Sequence, residues 1–256
     1  MPNQKILYVT TEMYPYQEDT NMGSLVHKMA LKMHSEGNDV RVFMPRFGQI
    51  SERKFQLHEV IRLSGMNIII NDLDQPLIIK VASLPGERLQ VYFIDNEEYF
   101  KRKQYYFDDE GHPFEDNNER AVFFARGVIE TIKKLNWVPD VIHLNGWMSS
   151  LIPVYLKTYY KDDSYFKDTK IVLSIYNEED LKLNDNTKEI LEFDNISDLQ
   201  SLDNPSFLSF VNDSMDYVDV IVKGNEFLED KLEEAYAKAD AEKSDYLNVE
   251  SISTIY

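Results

Sequence analysis

The chain has 256 residues, with 27 Lys plus Arg against 45 Asp plus Glu, a net charge of −18 and no cysteine. Disulfides, thiolate metal sites and thiol nucleophiles are therefore excluded. Nucleic acid and anionic membrane surfaces are disfavoured as partners, because both need a basic face to displace counterions.

The length suits a single α/β domain over 1–256 with one buried core. No apolar run approaches the roughly eighteen residues of a membrane span. The N-terminal MPNQKILYVTTEMYP has neither the basic start nor the long apolar stretch of a secretion signal. A cytoplasmic location is the expectation, and the sequons at Asn195 and Asn212 are then chance matches.

In chain order, Lys5–Thr10 is a β-rich run, Met22–Glu36 carries helical apolar spacing and stops before Gly37, and Asp39–Met44 is the next strand, closed by Pro45. This is a βαβ unit with an expected right-handed crossover. Between about 59 and 95 the pattern changes to three β-like runs, Met66–Asn71, Leu77–Leu84 and Leu89–Asp95, separated by Asp-Gln-Pro and Pro-Gly turns. A small β-meander insertion is the plain reading. Asp116-Asn-Asn-Glu119 matches a capping box ahead of a long amphipathic helix through Ala121, Ala125, Val128, Ile132 and Leu135. A strand at Val141–Leu144, a helix at Trp147–Tyr160, a strand at Lys170–Ile175, a polar loop-rich stretch at Asp180–Asp203, a strand at Asp219–Val222 and a helix at Glu226–Ala239 follow. Alternating β and α predicts a Rossmann-like, doubly wound, mostly parallel sheet.

In such sheets ligands bind outside the carboxyl ends of the strands, which directs attention to the turns Thr11–Gly23, His143–Trp147 and Tyr176–Asp180. The first precedes a helix N-terminus able to hold an anion, yet Gly23 is its only glycine and it also carries Glu12, Glu18 and Asp19. Gly23 reads equally as helix-start packing. His143 is either a hydrogen-bonded core residue or a catalytic base, and Trp147 either core or a sugar-stacking face. Ten aromatics between Tyr92 and Phe124 among acidic residues suit carbohydrate, and suit a packed β/α corner as well. Asp116 can cap a helix and need do nothing else. The five histidines show no metal-ligand spacing, and no nucleophile elbow or P-loop occurs, so neither a metal nor a catalytic residue can be assigned.

Taken together, these turns carry a resemblance. KILYVTTEMYPY before a Gly-Ser-Leu helix start, VRVFMPRF, YFIDNEEYF (Tyr92–Phe100), EDNNERAVFFARG (Glu115–Gly127) and WVPDVIHLNGWMSSLIP (Trp137–Pro153) occur in order, with weaker echoes in SIYN and MDYVDVIV. The chain resembles the N-terminal catalytic domain of bacterial glycogen and starch synthases, which are retaining glycosyltransferases of the two-lobed GT-B type. The resemblance implies the N-terminal half of a GT-B fold, ADP-glucose as donor substrate with no further cofactor, and an α-1,4-glucan as acceptor. Matching positions are Glu12, Gly23, Asp116, Asn117, Arg120, Trp147 and Asn177, with His143 opening the family's His-x-His-Asp-Trp-His motif.

Other motif positions depart from the family. Its Lys-Thr-Gly-Gly-Leu-x-Asp reads Asn21-Met22-Gly23-Ser24-Leu25-Val26-His27, its His-x-His-Asp-Trp-His reads His143-Leu144-Asn145-Gly146-Trp147-Met148, and its Thr-Ile-His-Asn reads Ser174-Ile175-Tyr176-Asn177. The sequence ends near the family's crossing into the C-terminal lobe, which carries most phosphate contacts. The expectation is a degenerate acceptor-side domain, inactive alone. The alternative is a non-catalytic glucan-binding or regulatory subunit acting through a homo-oligomer or a second protein chain.

Overall fold

A computed structural model describes residues 3–256; Met1 and Pro2, the start of the expected single domain, lie outside the described residues. One ten-stranded sheet runs β10-β9-β8-β7-β1-β2-β6-β5-β3, with β4 paired to β5. The strands are β1 Lys5–Thr10, β2 Asp39–Pro45, β3 His58–Glu59, β4 Met66–Ile70, β5 Leu73–Ser83, β6 Gln90–Asp95, β7 Val141–Asn145, β8 Lys170–Ile175, β9 Val220–Lys223 and β10 Glu242–Tyr246. The helices are α1 Asn21–Ser35, α2 Glu52–Phe55, α3 Glu97–Phe100, α4 Asn117–Leu135, α5 Leu151–Lys157, α6 Thr187–Phe193, α7 Phe207–Ser214 and α8 Asp230–Lys238.

Every pair from β10 to β6 is parallel, and β6–β5, β5–β3 and β5–β4 are antiparallel. The central strands are buried on both faces: all five residues of β7, and all but Lys5 of β1. That explains why their sequences read as continuous apolar runs and do not alternate. From β1 the chain moves to β2 on one side, whereas β6→β7→β8→β9 moves the other way. With right-handed crossovers α1 therefore covers one face and α4, α5, α7 and α8 the opposite one, and the strand order reverses between β1 and β7. The helix contacts agree, since α4 packs on α5, α5 on α7 and α7 on α8.

Helix α1 is capped by Thr20, whose hydroxyl accepts from the Gly23 N–H, and it buries Met22, Leu25, Val26, Met29, Ala30 and Met33 along one stripe. Helix α4 is buried at fourteen of its nineteen positions. Gly127 lets it approach the sheet, because a Cβ there would lie 3.0 Å from Ile94 and 3.2 Å from Leu77.

The expected β-meander forms, as β4–β5–β6, and it is continuous with the main sheet because β6 also pairs in parallel with β2. Other expectations are corrected. The β4–β5 turn is Asn71-Asp72, both at positive φ as a two-residue hairpin requires, and Asp74-Gln75-Pro76 lies inside β5. The capping box does not form: Asp116 makes no cap hydrogen bond and pairs with Arg102, and Glu119 accepts from the Tyr99 hydroxyl at 2.8 Å. The expected Trp147–Tyr160 helix is a 3₁₀ turn followed by the shorter α5. The stretch Asp180–Asp203 holds α6, and α7 and β10 are elements that apolar periodicity did not reveal.

Candidate functional site

At the carboxyl ends of β1, β7, β8 and β9 four turns converge, as the strand reversal requires. They enclose a cavity of 470 Å³ between the β8 turn, α7 and the start of α8. A side chamber of 210 Å³ extends toward the β1 turn and shares Trp147, Asn177, Glu178 and Phe207 with it.

Glu12, Trp147 and Asn177 are brought together here. Glu12 accepts from the Thr20 hydroxyl, so the residue that caps α1 also fixes the carboxylate. Trp147 is 1% exposed and stacks on Phe207 with ring centroids 3.5 Å apart and planes at 12°. One of its faces is thus occupied by the chain itself. Asn177 ties the β8 turn to the β9 turn: its Nδ2 donates to the Phe227 carbonyl at 2.9 Å, and its Oδ1 accepts from the Glu229 N–H at 2.9 Å.

The remaining candidates line neither chamber. Gly23 sits at the start of α1, where a Cβ would come within 3.0 Å of the Thr20 hydroxyl. His143 is fully buried inside β7, with Nδ1 2.6 Å from the Tyr256 hydroxyl and Nε2 2.7 Å from the Ser174 hydroxyl. Burial lowers its pKa to about 3, so the imidazole is neutral and committed to this network. Arg120 is enclosed by the rings of Phe47, Phe100 and Phe114 and donates to the Tyr105 carbonyl and to Asn117 Oδ1, both at 2.7 Å. Burial lowers its pKa to about 10. Asn117 in turn donates to the Tyr106 carbonyl. Asp116, Asn117 and Arg120 thereby fasten the aromatic segment Phe100–Phe114 to α4; Phe47 meets Phe100, Tyr105 and Tyr106, Tyr106 meets Trp147 and Phe207, and Tyr106 and Phe107 also line the side chamber.

Glu178 was not singled out from sequence. Its Oε2 accepts from the Trp147 N–H at 2.8 Å, and burial, with Glu12 nearby, raises its pKa to about 8. Two features in the sequence pointed toward it, namely the acidic Glu178-Glu179-Asp180 run directly after β8 and the strand-end position, but only the fold shows that Glu178 turns inward. Phe207 carried no such signal.

The divergent motif positions are satisfied within the chain. Asn21 Nδ2 donates to the Gly224 carbonyl at 2.9 Å, and His27 Nδ1 lies 2.9 Å from the Tyr14 carbonyl. Asn145 is fully buried, donates to backbone carbonyls, and accepts from the Tyr176 hydroxyl at 2.8 Å. The Tyr176 ring lies against Gly224, where a Cβ would fall 2.3 Å from it. Gly146 has φ +86°, and a Cβ there would fall 2.3 Å from the Thr11 hydroxyl; Met148 is fully buried.

A doubly wound sheet with its crevice at the β1/β7 reversal defines the architecture, and comparison with known proteins gives the family. Residues 5–227 match the family described as the starch synthase catalytic domain, and the chain belongs to it. Glycogen synthase from Chlorobium luteolum is 40% identical over 176 residues, and that from Chlorobium limicola 39%; each alignment covers 68% of this chain and 36% of the relative. The chain thus spans about a third of the length of these curated relatives. Among solved structures, the catalytic domain of starch synthase IV from Arabidopsis thaliana, bound to ADP and acarbose, superposes over 98% of this chain and 53% of its own with a TM-score of 0.72 at 16% identity, a likeness of fold. No helix among the described residues is long and apolar enough to cross a membrane.

Proposed function

We propose that this chain supplies the acceptor-side face of a glycogen or starch synthase-type domain, that its ligand is an α-glucan, and that it is degenerate for glucosyl transfer from ADP-glucose. The glucan would lie over the side chamber and the turn after β1, where Glu12, Asn177 and Glu178 offer acceptors to sugar hydroxyls.

The observation that carries the degenerate reading is the state of the divergent positions. Asn21, His27, Asn145 and Tyr176 are all bonded within the chain, and Gly146 has no room for a side chain. Departure of a nucleoside diphosphate requires positive groups aimed at the developing charge, an electrostatic contribution of several kcal/mol. Among the described residues that line the two chambers, Lys231 is the only cation, against Glu12, Glu178, Glu179, Asp180, Glu229 and Asp230.

Calorimetry with ADP-glucose and with maltooligosaccharides in separate titrations, together with incorporation of labelled glucose, tests the reading. Binding of maltooligosaccharide without ADP-glucose is expected. ADP-glucose binding with measurable incorporation would overturn the degenerate reading, and binding of neither would point to a role through a protein partner.

A further inference from the structure

A cleft of 120 Å³ opens at the amino ends of β2 and β6, the opposite end of the sheet from the crevice, and Asn38, Asp39, Arg41, Arg88 and Gln90 line it. Arg41 stands beside Gln90 in the β2–β6 pairing, and its guanidinium carbon lies 4.4 Å from the Trp137 ring centroid and 5.7 Å from that of Tyr92. The indole beneath it is pinned in turn, because Trp137 Nε1–H donates to Asp39 Oδ2 at 2.7 Å. A guanidinium supported on an aromatic face keeps its N–H donors in its own plane and has little freedom left to lose when they are bonded. Among the described residues those donors have no acceptor, and of the three nitrogens only Nη1 is enclosed.

The arginines around this cleft also differ from the others in having no counterion. Arg46, Arg102 and Arg126 pair with carboxylates, whereas Arg41, Arg62 and Arg88 pair with none among the described residues. Arg88 is exposed on the turn before β6, and that turn is fixed by the Leu84 N–H, which donates to the carbonyl of the buried Leu89 at 2.8 Å. Arg62 is close by: burial raises the Tyr92 phenol, and the charges of Arg41 and Arg62 both oppose that rise. Gln90 Oε1 accepts from the Tyr92 hydroxyl at 2.9 Å, which leaves Gln90 Nε2 as a donor with no partner among the described residues. Asn38 is spent on the Gln4 N–H and the Met33 carbonyl. Asp39 is the one carboxylate of the lining, with one oxygen held by the indole. The net charge of −18 does not decide the matter at this end of the sheet, because exposed charges beyond roughly 8 Å are largely screened at physiological salt.

We propose that this cleft binds a phosphoryl group, as the free ion or as the head of a monoester, between Arg41 and Arg88 with the Gln90 amide as a further donor. A carboxylate has two oxygens and is satisfied by one guanidinium fork. A phosphoryl group presents three oxygens and a charge of about −1.5 to −2 near pH 7, which matches two arginines and an amide. The 120 Å³ is well below the roughly 300–1,000 Å³ of pockets that enclose a whole ligand, so the cleft takes the anionic head and leaves the rest of a monoester in solvent.

This inference does not rest on the glucan reading, and maltooligosaccharide binding is measured separately, so either can fail alone. The test titrates the full chain with inorganic phosphate, methyl phosphate and acetate by calorimetry at pH 7 and constant ionic strength. At least one of the two phosphoryl probes is expected to bind at a single site at least tenfold tighter than acetate; the tighter of the two identifies the free ion or the monoester as the occupant. Arg41→Gln and Arg88→Gln are each expected to lose at least tenfold in that affinity. Arg88 is exposed and bonds nothing in the chain, so its variant tests the site even where Arg41→Gln fails to fold. Arg53→Gln, which removes an exposed arginine of α2 outside the cleft, is expected to change the affinity less than twofold. Acetate binding as tightly as both phosphoryl probes, binding of none of the three, or phosphoryl affinity unchanged in Arg88→Gln would overturn the proposal.

Discussion

Glu178 gives the sharpest test of the site's electrostatics. Its folded-state pKa of about 8 lies above the ordinary 4.5, chiefly because burial disfavours the charged carboxylate, with Glu12 adding repulsion. A raised acid pKa means that the folded state holds its proton more tightly than the unfolded chain. Stability from this group is therefore fully present below about pH 4.5 and is lost as pH rises through 8. The full difference corresponds to at most ~5 kcal/mol. Glu178 is only half-buried and water enters the cavity, so a loss of about 1–3 kcal/mol is the sounder expectation. Glu178→Gln keeps an oxygen to accept from the Trp147 N–H and removes the titration. Urea unfolding of both proteins at pH 5, 7 and 9, followed by tryptophan fluorescence, measures the gap between them. The variant should match the parent within about 0.5 kcal/mol at pH 5 and exceed it by about 1–3 kcal/mol at pH 9. A gap that stays constant across this range would refute the burial argument.

Other groups respond differently. His143 is depressed to about 3, so the unfolded chain gains a proton first as pH falls; the parent should lose roughly 1.5 kcal/mol between pH 6.5 and 5 relative to His143→Gln in the same unfolding assay. Gly146→Ala sets a Cβ 2.3 Å from the Thr11 hydroxyl at φ +86°, and should cost about 2–4 kcal/mol, read as a lowered urea midpoint. Arg126 donates to both carboxylate oxygens of Asp194 at 3.1 Å, and the Tyr155 hydroxyl donates to the same group. Arg126→Met should cost about 3–5 kcal/mol by stranding a buried carboxylate, and adding Asp194→Leu should recover most of it, both measured by thermal melting.

The sheet was legible because parallel strands buried on both faces leave continuous apolar runs at Lys5–Thr10, Val141–Asn145 and Lys170–Ile175, and the helical stripe of α1 is equally plain. The margin from 59 to 95 was legible as strands but not as part of the main sheet, since the pairing of β6 with β2 is a long-range contact that local pattern does not encode. The turn at Asn71-Asp72 was obscured by a nearby proline that a β5 edge position tolerates. Within the site, the strand-end positions of Glu12, Trp147 and Asn177 were recoverable from the α/β pattern and the motif series together. The inward turn of Glu178 was not, because an acidic run after a strand ordinarily reads as solvated loop. Arg120 shows the converse: an arginine in a motif with a functional precedent is here enclosed by three phenylalanine rings, a setting that composition conceals.

The divergent positions are coupled, and this bears on how the site could have changed. Tyr176 reaches Asn145 only because Gly224 leaves room for its ring, and the Asn145 amide is otherwise spent on backbone carbonyls of β1 and β7. Replacing Asn145 alone with histidine would strand the Tyr176 hydroxyl in a buried setting. Replacing Gly146 with aspartate would drive a side chain into Thr11 and Met22. Each reversal is unfavourable until its neighbours change too, so the set behaves as one packed unit and its members' energies do not add. The strands behind the crevice can persist through such a replacement, whereas the Thr20 cap, which holds Glu12, and Tyr106 of the aromatic corner reach the side chamber itself. The lining of both chambers carries six acidic side chains and one lysine, and although burial holds Glu178 largely protonated near pH 7, the remaining five leave a field that disfavours an anion.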